Sequence, residues 1–141
     1  MDNQVIRHKL VSLKRCVERI EEKTPEKPED LQSHYDSQDI IILNLQRAVQ
    51  ISADLAAHIL ASCDSKVPTT MAESFEFLFE KKIISKRISE RMQKSVGFRN
   101  IAIHEYTSLN WDLVYSIIKN HMGDFRKYAS EIVEWMEKQH K

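Results

Sequence analysis

The sequence predicts an all-α protein: about five helices in an antiparallel, four-helix-like bundle that pairs into a homodimer. Three observations point there. Apolar residues recur at steps of three and four through most of the chain. Helix breakers are scarce, with 2 Gly and 3 Pro in 141 residues, and Pro25, Pro28 and Pro68 fall between periodic segments. No stretch alternates β-branched residues between turn pairs, as a strand would. A hydrophobic fraction of 42% and a charged fraction of 30% belong to a folded globular chain. Residues 1–141 are read as one domain.

Ile6, Leu10, Leu13, Val17 and Ile20 follow at steps of four, three, four and three, which predicts a helix from about Asp2 to Glu22. Thr24 to Gln32 reads as a charged, proline-bearing connector. A second helix is expected from Ser37, as N-cap, to Ser62. Its Ile40 to Leu43, Leu45, Val49, Ile51, Leu55, Ile59 and Leu60 nearly encircle the axis, the mark of a central helix. Such a helix commonly buries surplus apolar surface against a second copy, hence the homodimer. Asp64 to Thr70 is expected as a loop, followed by a short helix with Phe75, Leu78 and Phe79 on one face. Ser85 should cap a fourth helix with Ile88, Met92, Val96 and Ile103 inward. Asn110 should cap a fifth, striped by Trp111, Val114, Ile118, Phe125, Ala129, Ile132 and Met136.

Lys and Arg total 21, as do Asp and Glu, so net charge does not announce a polyanionic partner and local distribution must decide. From Glu80 to Arg99 the seven cations Lys81, Lys82, Lys86, Arg87, Arg91, Lys94 and Arg99 face two acids, Glu80 and Glu90. That strip suits an RNA backbone, with Lys86, Arg87, Arg91 and Lys94 as contact candidates; it equally suits an acidic partner protein or a solvated helix face. Glu18 to Asp30 leans acidic and is expected away from RNA. Cys16 and Cys63 read as small buried hydrophobes of a reducing compartment. His8, His34, His58, His121 and His140 form no ligand pair at helical spacing, so neither a metal nor a cofactor is expected. Arg7, His8, Lys9, Lys14 and Arg15 interrupt any signal-peptide core, and no apolar run is long enough for a membrane span. A cytoplasmic location follows as an expectation. Trp111 and Trp135 read as core or interface packing, with base stacking as the alternative.

One segment concentrates chemistry: Gly97-Phe98-Arg99-Asn100-Ile101-Ala102-Ile103-His104-Glu105-Tyr106. Metal-free RNA cleavage needs a base for the ribose 2′-OH, an acid for the leaving 5′-oxygen and a cation on the phosphate. Histidine, with an ordinary pKa near 6.5, performs either proton transfer. Arginine stays charged and presents a planar fork of donors to phosphate oxygens. Five helical steps separate Arg99 from His104 and turn them about 140° apart, whereas Asn100 and His104 share a face. Convergence within one chain is therefore strained and is easier between two copies. Spacing alone leaves open a solvated helix end, where a histidine is mildly favourable anyway.

The run Arg99-Asn100-Ile101-Ala102-Ile103-His104-Glu105-Tyr106 resembles the R-N-x-x-x-H-x-Y motif of the HepT branch of HEPN proteins. The resemblance extends to Ser37 to Arg47, Ser74-Phe75, Val96-Gly97-Phe98 and Leu109-Asn110, and covers roughly residues 1–137. It implies a helical dimer in which two motifs form a composite, metal-independent ribonuclease site acting on tRNA or mRNA. By position, Arg99 would hold the phosphate, His104 would serve as acid and base, and Asn100 would fill the polar position beside Arg99. Tyr106 would be the residue that a companion minimal nucleotidyltransferase (MNT) antitoxin adenylylates. Two other classes compete: a non-catalytic nucleotide-binding or adaptor subunit of a two-component nucleotidyltransferase, and a structural dimerisation bundle.

Overall fold

A computed structural model describes residues 3–139, so the expected helix start at Asp2 and the side chain of His140 lie outside the described residues. The first helix, α1 (Asn3–Lys23), buries Ile6, Leu13, Val17 and Ile20 of the predicted stripe; Leu10 is only partly buried, and Cys16 is buried beside them. The connector expected over 24–32 instead contains a helix, α2 (Pro28–Ser33). Pro28 stands in its first turn, where a missing N–H costs nothing; Glu29 and Asp30 face the positive helix end, and Leu31 is fully buried.

The third helix, α3 (Tyr35–Ala61), begins before Ser37, which therefore lies inside the first turn and does not cap it. The N-cap, His34, offers no side-chain hydrogen bond to the helix. The α2–α3 junction is held by Gln38, whose Nε2 donates to the carbonyls of Leu31 (2.9 Å) and Gln32 (3.2 Å). As expected of a central helix, α3 buries side chains on most sides and touches α1 and α2.

Helix α4 (Met71–Glu80) is capped by Thr70, whose hydroxyl accepts from Glu73 N at 3.1 Å. Phe75 and Leu78 are buried as expected, but Phe79 is 38% exposed and Phe77 takes the inward place. The cause is that α4 lies between α3 and α5 (Lys86–His104), which widens its buried arc towards Phe77. Between α4 and α5 the amides of Lys82 and Ile83 return to Phe79 O (2.8 Å) and Leu78 O (2.9 Å), a Schellman closure with Lys82 at φ 60°. Ser85 caps α5 as expected, its hydroxyl accepting from Ile88 N at 3.3 Å. Ile88, Met92 and Val96 face the core; Ile103 does not, because Ala102 occupies that face and the next residue is turned outward.

A 3-10 turn over Tyr106–Ser108 follows, and then the expected fifth helix is two: α6 (Trp111–Asn120) and α7 (Met122–Gln139). Asn110 caps α6 as expected, accepting from Leu113 N at 3.2 Å. The break at His121 lies within Asn120-His121-Met122-Gly123, where three residues are weak helix formers. It is clamped from α5 by Arg91, which pairs with Asp124 (3.0 Å) and bonds the His121 ring. The four long helices close a ring, α1 on α3, α3 on α5, α5 on α7 and α7 back on α1, giving the four-helix-like bundle. Tyr128, fully buried in it, donates to Ser52 O at 2.8 Å. No helix among the described residues is long and apolar enough to cross a membrane.

Candidate active site

The inward stripe of α5 runs Ile88, Met92, Val96, and the next residue at helical spacing is Arg99. Arg99 is therefore drawn half into the bundle, with its Nε buried and without a partner. Its two Nη groups are held separately. Nη2 donates to Gln50 Oε1 on α3 at 3.3 Å, and Nη1 donates to Asn100 Oδ1 at 3.2 Å. Gln50 in turn donates through Nε2 to Asp54 at 2.9 Å, which fixes the amide with its oxygen towards the guanidinium. The guanidinium plane is thus set from two sides.

Asn100 and His104 lie on the exposed face, one turn apart, and His104 is the last residue of α5. Ile101 and Ile103 flank this face with 47% and 40% of their surface exposed. α5 stays helical through His104, so the divergence expected from the spacing persists, and one chain presents the cation and the imidazole on different faces.

Tyr106 sits just past the helix, in the 3-10 turn, and its ring stands edge-on to Trp111 with centroids 6.2 Å apart and planes at 86°. Its hydroxyl donates to the Asp39 carboxylate on α3. Burial first, and then the hydrogen bond and negative charge of Asp39, push the phenol up to about 12. The two residues line an open cleft of about 720 Å³ together with Tyr35, Thr107, Asn110 and Trp111.

Of the basic strip, Lys86, Arg87 and Lys94 are exposed along α5. Arg91 is committed to Asp124 and His121 instead, with 26% of its side chain exposed. Among the described residues no group of three or more His, Cys, Asp or Glu side chains is gathered to hold a metal ion. The sequence reading did not find Gln50 or the Asp39–Tyr106 pair. Both are contacts between α3 and residues beyond position 98, and no local pattern encodes them.

Residues 13–132 match the family model described as ribonuclease HepT-like. The chain is 34% identical over 130 residues to an mRNA nuclease HepT of Shewanella oneidensis, covering 92% of this chain and 97% of that protein. A tRNA nuclease HepT of Aphanizomenon flos-aquae is 26% identical over 108 residues, 77% of this chain and 74% of that one. Among solved structures, the fold superposes with a TM-score of 0.87 on the tri-AMPylated Shewanella oneidensis HEPN toxin in complex with its MNT antitoxin. That pair is 32% identical, and the match covers 95% of this chain and 99% of the toxin. With its helical ring, its Arg99–His104 motif and a family match across most of its length, this chain belongs to the HepT-like ribonuclease family.

Proposed function

We propose that this chain, as a single HEPN-like domain, is the toxin of a two-component pair. It is a metal-independent endoribonuclease whose site forms when two copies bring Arg99 and His104 together, and an MNT-type nucleotidyltransferase silences it by adenylylating Tyr106. The observation that carries the reading is the state of Arg99: a guanidinium oriented in advance by Gln50 and Asn100, five residues before an exposed histidine. Because those two groups diverge on one helix, a second copy supplies the convergence. The exposed Ile101 and Ile103 beside His104 give that copy an apolar surface to cover.

In the composite site the Arg99 side chains hold the non-bridging oxygens of the scissile phosphate, neutralising charge as it builds in the transition state. One His104 takes the proton of the ribose 2′-OH, and the partner's His104 protonates the leaving 5′-oxygen. The products are a 2′,3′-cyclic phosphate and a 5′-hydroxyl. Lys86, Arg87 and Lys94 extend the contact along the RNA backbone, and Asn100 keeps Arg99 in plane. Relatives named as nucleases of mRNA and of tRNA support a substrate drawn from those two classes. Adenylyl groups on Tyr106, two residues beyond His104, add bulk and negative charge where the substrate phosphate would enter.

The test is RNA cleavage by the purified chain in excess EDTA, with cyclic-phosphate ends scored directly. Arg99→Ala and His104→Ala should each abolish cleavage while helical content stays unchanged. Cleavage that survives both substitutions, or that requires a divalent metal, refutes the reading. An adaptor subunit without nuclease activity would bind nucleotide or partner and cut nothing.

A further inference from the structure

We propose that Asp39 is the proton acceptor for nucleotidyl transfer to Tyr106, and that the cleft the two residues line receives the reacting end of the incoming nucleoside triphosphate. The inference rests on the reading that Tyr106 is the modified residue. RNA cleavage through Arg99 and His104 gives Asp39 no part, yet its carboxylate holds the Tyr106 hydroxyl directly, across 67 residues of sequence.

Three features of the geometry support it. First, the phenol is aimed. Trp111 holds the ring edge-on, and the amide of Leu109 closes the 3-10 turn on Tyr106 O at 3.4 Å, so Oη keeps its direction at the cleft wall. Second, the proton already points at the carboxylate, which leaves the oxygen lone pairs free for attack on phosphorus. Third, Asp39 has no competitor. It is the one carboxylate among the residues lining the cleft, where Tyr35 on α3 is the remaining titratable group. On α6 the nearby Asp112 is engaged by Gln32 Nε2 at 3.0 Å. The cleft volume of about 720 Å³ falls within the range of small-molecule sites.

The step balances as follows. Tyr106 Oη attacks the α-phosphorus of the nucleoside triphosphate held by the partner enzyme. The Oη–P bond forms, the bond from phosphorus to the bridging oxygen breaks, and pyrophosphate leaves with that electron pair. The phenolic proton passes to Asp39. A phenol pushed up to about 12 does not ionise unaided near neutrality. As its oxygen bonds to phosphorus its acidity rises steeply, and a carboxylate then suffices, as the catalytic aspartate does for the hydroxyl in protein kinases.

A carboxylate that only anchors the turn predicts something different, and Asp39→Asn separates the two roles. The amide is isosteric and its carbonyl still accepts from Tyr106, so an anchor survives while a base is lost. The purified chain is incubated with its partner nucleotidyltransferase and ATP, and initial rates of Tyr106 adenylylation are followed by mass spectrometry. Asp39→Asn should slow labelling by about 100-fold or more. Its residual rate should climb about tenfold per pH unit as hydroxide takes over as base, while the wild-type rate stays level. Asp39→Ala should be slow as well, and added formate should restore part of its rate, a rescue that a misfolded variant would not show. Labelling of Asp39→Asn within about threefold of wild type, or a pH profile unchanged from wild type, overturns the proposal. Wild-type chain labelled elsewhere, with Tyr106→Phe labelled equally, would instead remove the reading beneath it.

Discussion

Replacing Gln50 with alanine deletes the α3 acceptor for Arg99 Nη2 and leaves every residue of the Arg99–His104 motif in place. The magnitude follows from the contact. A hydrogen bond to a charged group contributes about 1.5–3 kcal/mol, but this one is long at 3.3 Å and only part-buried, so the lower end applies. Arg99 Nε, already buried without a partner, makes the guanidinium more dependent on its two Nη contacts; with Gln50 gone, Asn100 alone restrains it. Loss of about 1.5 kcal/mol of transition-state stabilisation corresponds to about a tenfold fall in kcat/KM. The assay is cleavage of a fluorescent RNA at substrate concentrations spanning KM, with wild type, Gln50→Ala and Gln50→Glu compared. Gln50 acts through Arg99, so the fall should appear mainly in kcat. Gln50→Glu keeps an acceptor for Arg99 but sets a second carboxylate against Asp54, and should recover part of the loss. Gln50→Ala should leave the thermal midpoint nearly unchanged, because the residue lies at the edge of the core. Wild-type kcat/KM in Gln50→Ala would show that Arg99 is oriented by something else, and the pre-set guanidinium would lose its support.

Two further outcomes are expected. Lys82→Gly should stabilise the fold by about 0.5–1 kcal/mol in denaturant unfolding, because a side chain at φ 60° carries a left-handed penalty that glycine lacks, partly offset by glycine's larger unfolded-state entropy; a lower midpoint would mean that Lys82 makes a contact worth more than the strain. In alkaline spectrophotometric titration Tyr106 should ionise at about 12 and not near the ordinary tyrosine value, with Tyr128 later still because of its complete burial. A phenol raised on folding contributes stability that is whole below the unfolded pKa of about 10 and is lost as pH climbs through about 12, so unfolding midpoints should begin to fall only in that window, and by less in Tyr106→Phe.

How far the sequence alone reached depended on the range of the interaction that decides each feature. Periodicity is local, so most of the stripes of α1 and α5, Leu10 and Ile103 excepted, and the caps at Ser85 and Asn110 were legible one helix at a time. The misses are places where two elements meet. Pro28 looks like a breaker within the charged 24–32 stretch; α2 exists because Leu31 finds a buried seat and Gln38 closes the junction. The continuous stripe from Trp111 to Met136 gives no sign of the interruption at His121, which is fixed from across the bundle by Arg91. That same contact takes Arg91 out of the run of free cations, a run that composition cannot divide into committed and available members.

The candidate site divides along the same line. Arg99, Asn100, His104 and Tyr106 fall within eight residues and carry a family motif, so they could be named from the sequence. Their partners Gln50 and Asp39 come from α3, 49 and 67 residues away, and the apolar pattern that identifies α3 as the central helix says nothing about its two polar contacts to the motif. The central position nevertheless explains them. A helix that packs against both α1 and α5 borders the motif along one seam, and Gln50 and Asp39 are the α3 side chains that bond to it there. Gln50 steadies the cation at one point of that seam and Asp39 holds the phenol at another, so the two functions proposed for the motif, cutting and being silenced, are set by different residues of one helix. Substitutions at Gln50 should therefore alter cleavage without altering adenylylation, and substitutions at Asp39 the reverse.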